Sequence, residues 1–123
     1  MDPVTADEAW EVKLYETPGG RTPLLDFLMG LPPKHRAKVR QAIGRLELFG
    51  PRLGFPDTSD VKNAPFRELR TRFAGQQYRV LYVQEGDTFV LFAGFHKRSD
   101  RDLAQAVREA ERHLADYRSE RRK

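Results

Sequence analysis

Cysteine is absent from this chain of 123 residues, which excludes disulfide bonds and thiolate metal sites. The three histidines, His35, His96 and His113, do not have the spacing of a zinc site. No apolar run approaches the ~18 residues that a membrane-spanning helix needs. The acidic N-terminus also lacks the pattern of a signal peptide. We therefore expect a cytoplasmic protein that uses no metal or cofactor and has no membrane partner.

Charge is distributed unevenly along the chain. The formal net charge is +4 and the pI is about 9.6. Residues 1–33 carry a net charge of −4, residues 34–72 carry +6 and residues 73–123 carry +2. A basic central segment favours a polyanionic partner such as nucleic acid. Mild basicity also serves solubility alone, so charge by itself leaves both interpretations open.

Length and hydrophobic patterning predict a small α+β fold. We expect one domain over residues 1–123, with a core over about 8–118 and a flexible basic tail over 119–123. Segment 51–64 is rich in turn-forming residues and is predicted to be an irregular connection. The other elements, in chain order, are a strand over 9–16, a helix from Pro23 to Gly30, a helix over about 33–49, strands over 66–73, 77–84 and 88–96, and a helix over 100–118 capped by Ser99. Hairpin-length links join the last three strands, so this β-α-α-β-β-β-α order predicts helices packed on an antiparallel sheet.

The strand FRELRTRF has an unusual charged face. Glu68, Arg70 and Arg72 share that face with Phe66, while Leu69 lies on the other. A guanidinium group can hold two phosphate oxygens at once and stays charged. Glu68 either pairs with a neighbouring arginine on a solvated face or belongs to a functional site.

The strand QYRVLYVQ places a cation among aliphatic residues. Arg79 shares its face with Leu81 and Val83, which is costly unless the guanidinium has an anionic partner or borders a cleft. Tyr82 lies on the opposite face and is expected to form the wall of a pocket or to stack on a base.

The last strand ends directly in His96, Lys97 and Arg98. Strict alternation predicts that Gly94 and His96 share a face with Val90 and Phe92, where the glycine leaves room for a ligand. Metal-free cleavage of RNA needs proton transfers and stabilisation of a phosphorane, and these residue types suit both. A solvated strand end is the alternative. His35 and His113 are expected to be surface residues, and the basic face of the second helix is either solvated or follows a phosphate backbone.

Taken in order, these segments resemble the RelE superfamily of type II toxins, especially its HigB-like branch, which includes phage-derived toxins. The matching segments are WEVKLYET, TPLLDFLMGLP, LELFG, FRELR, YRVLYV, GFHKRSD and the AxxxAxRHLADY helix, which together span roughly residues 8 to 118. The resemblance implies a metal-independent endoribonuclease that cleaves mRNA on the ribosome. It also implies a cognate antitoxin, which we expect to be a helix-turn-helix protein that alone mediates contact with DNA.

The resemblance carries over to individual positions. Glu68 and Arg70 match an ELR element, Arg79 and Tyr82 match an RxLY element, and Phe95 and Lys97 match a GFxKK-like element. The chain departs from the pattern at Arg98-Ser99-Asp100, and His96 is a candidate from its chemistry rather than from the resemblance. The candidate catalytic residues are therefore Arg70, Arg79, Lys97, His96 and Glu68, and the candidate RNA-binding residues are Tyr82, Phe95, Arg98 and Arg72. A non-catalytic module that binds RNA or an antitoxin is the alternative function.

Overall fold

The computed structural model of the protein describes residues 10–121. Its elements are β1 (Glu11–Leu14), α1 (Pro23–Met29), α2 (Pro33–Phe49), a 3-10 turn (Gly50–Arg52), β2 (Thr58–Asp60), β3 (Arg67–Phe73), β4 (Gln76–Glu85), β5 (Thr88–His96) and α3 (Asp100–Arg121). Every predicted helix and strand is present. Residues 119–121, predicted to belong to a flexible tail, instead continue α3. Residues 1–9, 122 and 123 of the predicted domain lie outside the described residues.

The strands form one sheet in the order β1-β5-β4-β3-β2. The antiparallel pairing of β3, β4 and β5 confirms the predicted meander and the small α+β fold. The prediction of an antiparallel sheet is wrong at one edge, because β1 pairs in parallel with β5 and the sheet is mixed.

The segment 51–64 is also more regular than predicted, since it contains β2, which pairs with residues 67–69 of β3. The guanidinium group of Arg67 secures this edge by donating to Thr58 Oγ1 at 2.6 Å and to Asp60 Oδ1 at 2.5 Å. The strand sequence Thr-Ser-Asp is too short and too polar to be recognised by hydrophobic alternation.

Helices cover both faces of the sheet. We call the face covered by α1 and α2 the α2 face, and the face covered by α3 the α3 face. The buried cluster on the α2 face includes Leu24, Val39, Leu46, Leu69, Val80 and Leu91. The cluster on the α3 face includes Leu81, Val90, Phe92, Ala110 and Leu114. Each fully buried leucine contributes ~1.5–3 kcal/mol of transfer free energy, so the two clusters together hold the sheet between its helices.

A β-bulge in β5 changes which face its last residues occupy. Leu81 pairs with Ala93, whereas the next residue, Tyr82, pairs with Leu91, so Phe92 has no partner on β4. One extra residue reverses the in-out alternation beyond it. The predicted grouping of Gly94 and His96 with Val90 and Phe92 is therefore wrong, and both residues lie on the α2 face.

Candidate active site

Three of the predicted site residues lie in one row across the sheet. Arg70 on β3 is paired with Arg79 on β4, and Arg79 is paired with Phe95 on β5. Directly paired residues point to the same face and have Cβ atoms ~4.5–5.5 Å apart. Phe95 packs against the buried cluster on the α3 face, so the row lies on that face. Strand pairing therefore brings together side chains that are distant in sequence.

Arg79 and Glu68 form a buried ion pair next to this row. Arg79 Nε lies 3.5 Å from Glu68 Oε1, and the two side chains are only 5% and 10% exposed. Ser59 donates a hydrogen bond to Glu68 Oε1, and Arg79 Nη2 donates one to Gln77 Oε1. Burial lowers the pKa of Arg79, although the nearby Glu68 carboxylate opposes the shift. Glu68 is thus the anionic partner of a buried cation, and its interpretation as part of a solvated face is wrong.

A groove of about 510 Å³ borders residues 70–72 of β3, beyond the last residue that β2 covers. Its lining residues come from α2, from the loop before β2 and from the sheet. They are Lys38, Gln41, Arg45, Phe55, Pro56, Asp57, Arg70, Thr71, Arg72 and Arg79. Five of these side chains are cations and one is an anion, Asp57, which lies 3.7 Å from Arg45. This balance of charge suits a polyanionic ligand.

The buried ion pair has unused hydrogen-bonding capacity. Within the described part of the chain, Arg79 Nε and Glu68 Oε2 are buried without a hydrogen-bond partner. Each unsatisfied buried polar atom costs ~1–3 kcal/mol. Because Arg79 also lines the groove, a phosphate oxygen bound there could accept a charge-assisted hydrogen bond from its guanidinium group.

Lys97 and Arg98 do not line this groove. Lys97 Nζ lies 3.8 Å from Asp100 Oδ1, and Arg98 Nε lies 3.8 Å from Asp102 Oδ2. Asp102 also accepts the backbone N–H groups of Arg98 and Ser99, and these hydrogen bonds lower its pKa. A carboxylate in the first turn of a helix that accepts hydrogen bonds from the backbone just before the helix is the arrangement of a capping box. The two cations therefore lie at the acidic first turn of α3, where the strand meets the helix.

His96 and Arg79 point to opposite faces of the sheet, although both were predicted to serve one site. His96 is paired with Tyr78, the neighbour of Arg79, and their ring centroids lie 5.1 Å apart. The Tyr78 hydroxyl in turn lies 2.6 Å from His35 Nδ1, so His35 is not the surface residue that was predicted. Burial lowers the pKa of His96, as do Arg98 and His35, whereas Asp102 has the opposite effect. The bulge in β5 is the reason that His96 and Arg79 lie on opposite faces of the sheet.

The prediction that Gly94 leaves room for a ligand is wrong. A Cβ atom built at this position would lie 2.4 Å from Cδ2 of Phe27 and 2.9 Å from Cδ1 of Leu24. The missing side chain therefore admits helix α1 to the sheet, and the glycine is a packing residue.

Tyr82 is a core residue, only 2% exposed. Its ring packs in an edge arrangement on Phe89, and its hydroxyl accepts a hydrogen bond from Arg67 Nε at 3.4 Å. A ring enclosed in this way has no free face for a base, so the predicted stacking role of Tyr82 is wrong. His113 is likewise not a surface residue, because its side chain is 19% exposed and its ring lies 4.9 Å from that of Tyr15.

Several groove residues were not among the sequence candidates. Lys38, Gln41 and Arg45 recur at intervals of three and four residues on α2, so their common face could have been recognised from the sequence. Phe55 gave no such signal, because it lies among turn residues without periodicity. Gln77 was also missed. Its side chain accepts from Arg79, while its backbone oxygen accepts the N–H group of Lys97 at 2.8 Å.

Residues 10–121 contain no group of three or more His, Cys, Asp or Glu side chains placed to hold a metal ion. None of the helices in this range is long and apolar enough to cross a membrane. A family model described as "Phage derived protein Gp49-like (DUF891)" matches residues 26–120. The match includes every residue that lines the groove. A search of curated proteins found no match.

Proposed function

Because the chain belongs to the Gp49-like family of phage-derived proteins, we propose that it is the toxin of a type II toxin–antitoxin system and cleaves RNA. The observation that carries the proposal is the buried Arg79, held by Glu68 and opening onto a groove lined by four other cations. The resemblance of the FRELR, YRVLYV and GFHKRSD segments to RelE- and HigB-like toxins supports the same function.

In this proposal, Arg70 and Arg79 bind the scissile phosphate from adjacent strands. The 2′-hydroxyl oxygen attacks phosphorus, the bond to the 5′-oxygen breaks, and the products carry a 2′,3′-cyclic phosphate and a 5′-hydroxyl group. The guanidinium groups stabilise the charge that develops on the phosphorane oxygens. Glu68 positions Arg79, because it is the carboxylate in contact with that guanidinium group.

In this scheme the proton of the 2′-hydroxyl passes to a water molecule as the oxygen attacks, and an acid protonates the leaving 5′-oxygen. Lys97 is the proposed proton donor. Its backbone lies near the arginine row, since Gln77 accepts hydrogen bonds from both the Lys97 backbone and the Arg79 side chain. For this role its ammonium group, which lies 3.8 Å from Asp100 Oδ1, turns towards the bound RNA. His96 is excluded from this role in the proposal, because it lies on the other face of the sheet.

The proposed substrate is mRNA on the ribosome, and the proposed partner is a cognate antitoxin of the helix-turn-helix class that alone contacts DNA. Cleavage needs no metal in this scheme, since arginines supply the positive charge. The place of action is the cytoplasm.

Induced expression followed by mapping of mRNA ends tests the proposal. Wild type should stop growth and produce new 5′-hydroxyl ends within translated messages. Arg70→Ala is the preferred variant, because Arg70 is partly exposed and its loss spares the buried ion pair. It should lower cleavage about 100-fold or more, as the loss of one preorganised donor does elsewhere. Arg108→Ala, on the exposed surface of α3, is the matched control and should act like wild type. Intact messages and normal growth with folded wild-type protein would overturn the proposal.

One observation favours the alternative, a module that binds RNA without cleaving it. Among residues 10–121, those that line the groove include no histidine or tyrosine, and the carboxylate of Asp57 lies beside Arg45. Purified protein that binds ribosomes but leaves a translated reporter message intact would establish this function instead.

A further inference from the structure

Phe55 is an exposed aromatic residue at a cationic groove. Its exposed fraction is 78%, the largest among the large hydrophobic residues of the described chain. The guanidinium carbon of Arg70 lies 5.4 Å from the centroid of its ring. A single exposed apolar residue needs no explanation. Here, however, the ring lines the same groove as Arg70, Arg72 and Arg79, which calls for a common ligand.

Cations from two different elements line the groove together with this ring. Lys38 and Arg45 come from α2, whereas Arg70 and Arg72 come from β3. The volume of about 510 Å³ lies within the range of ~300–1,000 Å³ that is usual for sites of small ligands. A ligand that carries several phosphates with a planar group between them matches both sets of cations and the aromatic ring.

We propose that this groove binds single-stranded RNA, with one nucleobase stacked on Phe55 and the adjoining phosphates on the cations of α2 and β3. Aromatic side chains bind unpaired bases through their π faces, whatever the base. Bases within a duplex are already stacked on each other, so the substrate must be single-stranded. Arg70 supports the ring by a cation–π contact, which orders it before RNA binds.

An acidic peptide of a partner protein is a different occupant with the same charge. Peptide anchors fill concave apolar pockets. Apart from Pro56, the neighbours of Phe55 in the groove are polar or charged, so the ring is an isolated platform rather than part of an apolar pocket. This arrangement favours a nucleobase over a peptide side chain.

The inference deepens the proposed function by assigning a base-binding position to the same groove. The test therefore measures binding separately from cleavage. The probe is a fluorescent RNA octamer in which every 2′-hydroxyl is methylated, which prevents attack on phosphorus. A second probe carries 2-aminopurine, whose fluorescence reports stacking.

Phe55→Ala should raise the Kd of the octamer about tenfold, the loss expected for one stacked base, and should abolish the change in 2-aminopurine fluorescence. Phe55→Trp should bind at least as tightly as wild type. Leu48→Ala is the matched control, because Leu48 is 50% exposed and does not line the groove. It should leave both readouts unchanged.

The salt dependence of RNA binding distinguishes the contribution of the Phe55 ring from that of the cations. Phe55→Ala should keep the wild-type slope of log Kd against log salt, whereas Arg72→Ala should reduce the slope by about 0.7, the value for one phosphate contact on a single strand. A duplex of the same sequence should compete weakly.

Unchanged octamer binding and stacking signal in Phe55→Ala would overturn the inference. It would also be overturned if Phe55→Ala weakened the binding of an oligoglutamate peptide but not of RNA, because the groove would then be a protein-docking surface. If wild type binds the octamer as expected but leaves unmodified RNA intact, the inference stands and the cleavage proposal fails. If wild type cleaves unmodified RNA and Phe55→Ala changes neither this cleavage nor the binding of the octamer, the cleavage proposal stands and the inference about Phe55 fails.

Discussion

Removing the charge of Glu68 should strongly destabilise the protein, because Arg79 would remain buried without an anionic partner. Coulomb's law gives about 5 kcal/mol of attraction for charges 3.5 Å apart at an effective dielectric constant of ~20. Breaking a buried pair by removing one partner costs ~3–5 kcal/mol. The variant Glu68→Gln keeps an oxygen that can accept the Ser59 hydroxyl, so we expect the lower end of this range. About 3 kcal/mol corresponds to a fall in Tm of about 10–15 °C for a domain of this size.

A double-mutant cycle in urea measures the pair itself. Arg79→Met leaves the carboxylate unpaired, whereas the combination with Glu68→Gln removes both charges from the interior. The double variant should therefore be more stable than the sum of the single effects predicts, by about 2–3 kcal/mol. Single effects that add within ~0.5 kcal/mol would show that the two side chains do not interact and would refute the reasoning.

The burial of the two side chains, rather than the distance between them, should determine how much stability is lost when the ion pair is broken. An exposed ion pair elsewhere in the chain provides the control. Arg21 and Asp26 approach more closely, at 3.2 Å, but their side chains are 79% and 53% exposed. Breaking this pair with Arg21→Gln should cost less than ~0.5 kcal/mol, because water screens the exposed charges and ordering the side chains opposes the gain. Equal costs for the two pairs would contradict the argument from burial.

Two further predictions concern the end of β5. Gly94→Ala should destabilise the protein by ~1–3 kcal/mol, because the new methyl group collides with Phe27, whereas Gly44→Ala in the open middle of α2 should stabilise it by ~0.5–1 kcal/mol. Urea unfolding of both variants checks this, and a neutral Gly94→Ala would show that α1 does not approach the sheet so closely. His96 should titrate below its ordinary pKa of 6.5 in an NMR titration of its ring protons, and Arg98→Ala should raise that pKa. Because folding lowers this pKa, the unfolded chain binds the proton more readily, so the contribution of His96 to stability is present above pH 6.5 and is lost as pH falls towards the folded pKa. A pKa at or above 6.5 would contradict the assigned burial.

The sequence by itself determined the identity and order of the helices and the longer strands. Hydrophobic periodicity and turn residues are local properties, and they were sufficient for α2, α3 and the meander of β3, β4 and β5. The same alternation placed Arg79 among aliphatic neighbours and so required an anionic partner or a cleft. Both are present, as Glu68 and as the groove. Arg70 and Arg72 were recognised as candidate site residues because the charge of a side chain follows from its residue type alone.

Only the tertiary structure decided which of the candidate residues lie together. The bulge at Phe92 moved His96 to the α2 face, and strand alternation alone cannot reveal an extra residue that lacks a partner. The burial of Tyr82 depends on the elements packed over it, and the contact between Phe55 and Arg70 joins a loop to a strand across 15 positions of sequence. The parallel pairing of β1 with β5 likewise joins segments that are 77 positions apart in the sequence. These features arise from register and packing between distant segments, whereas sequence patterns report only what each segment prefers by itself.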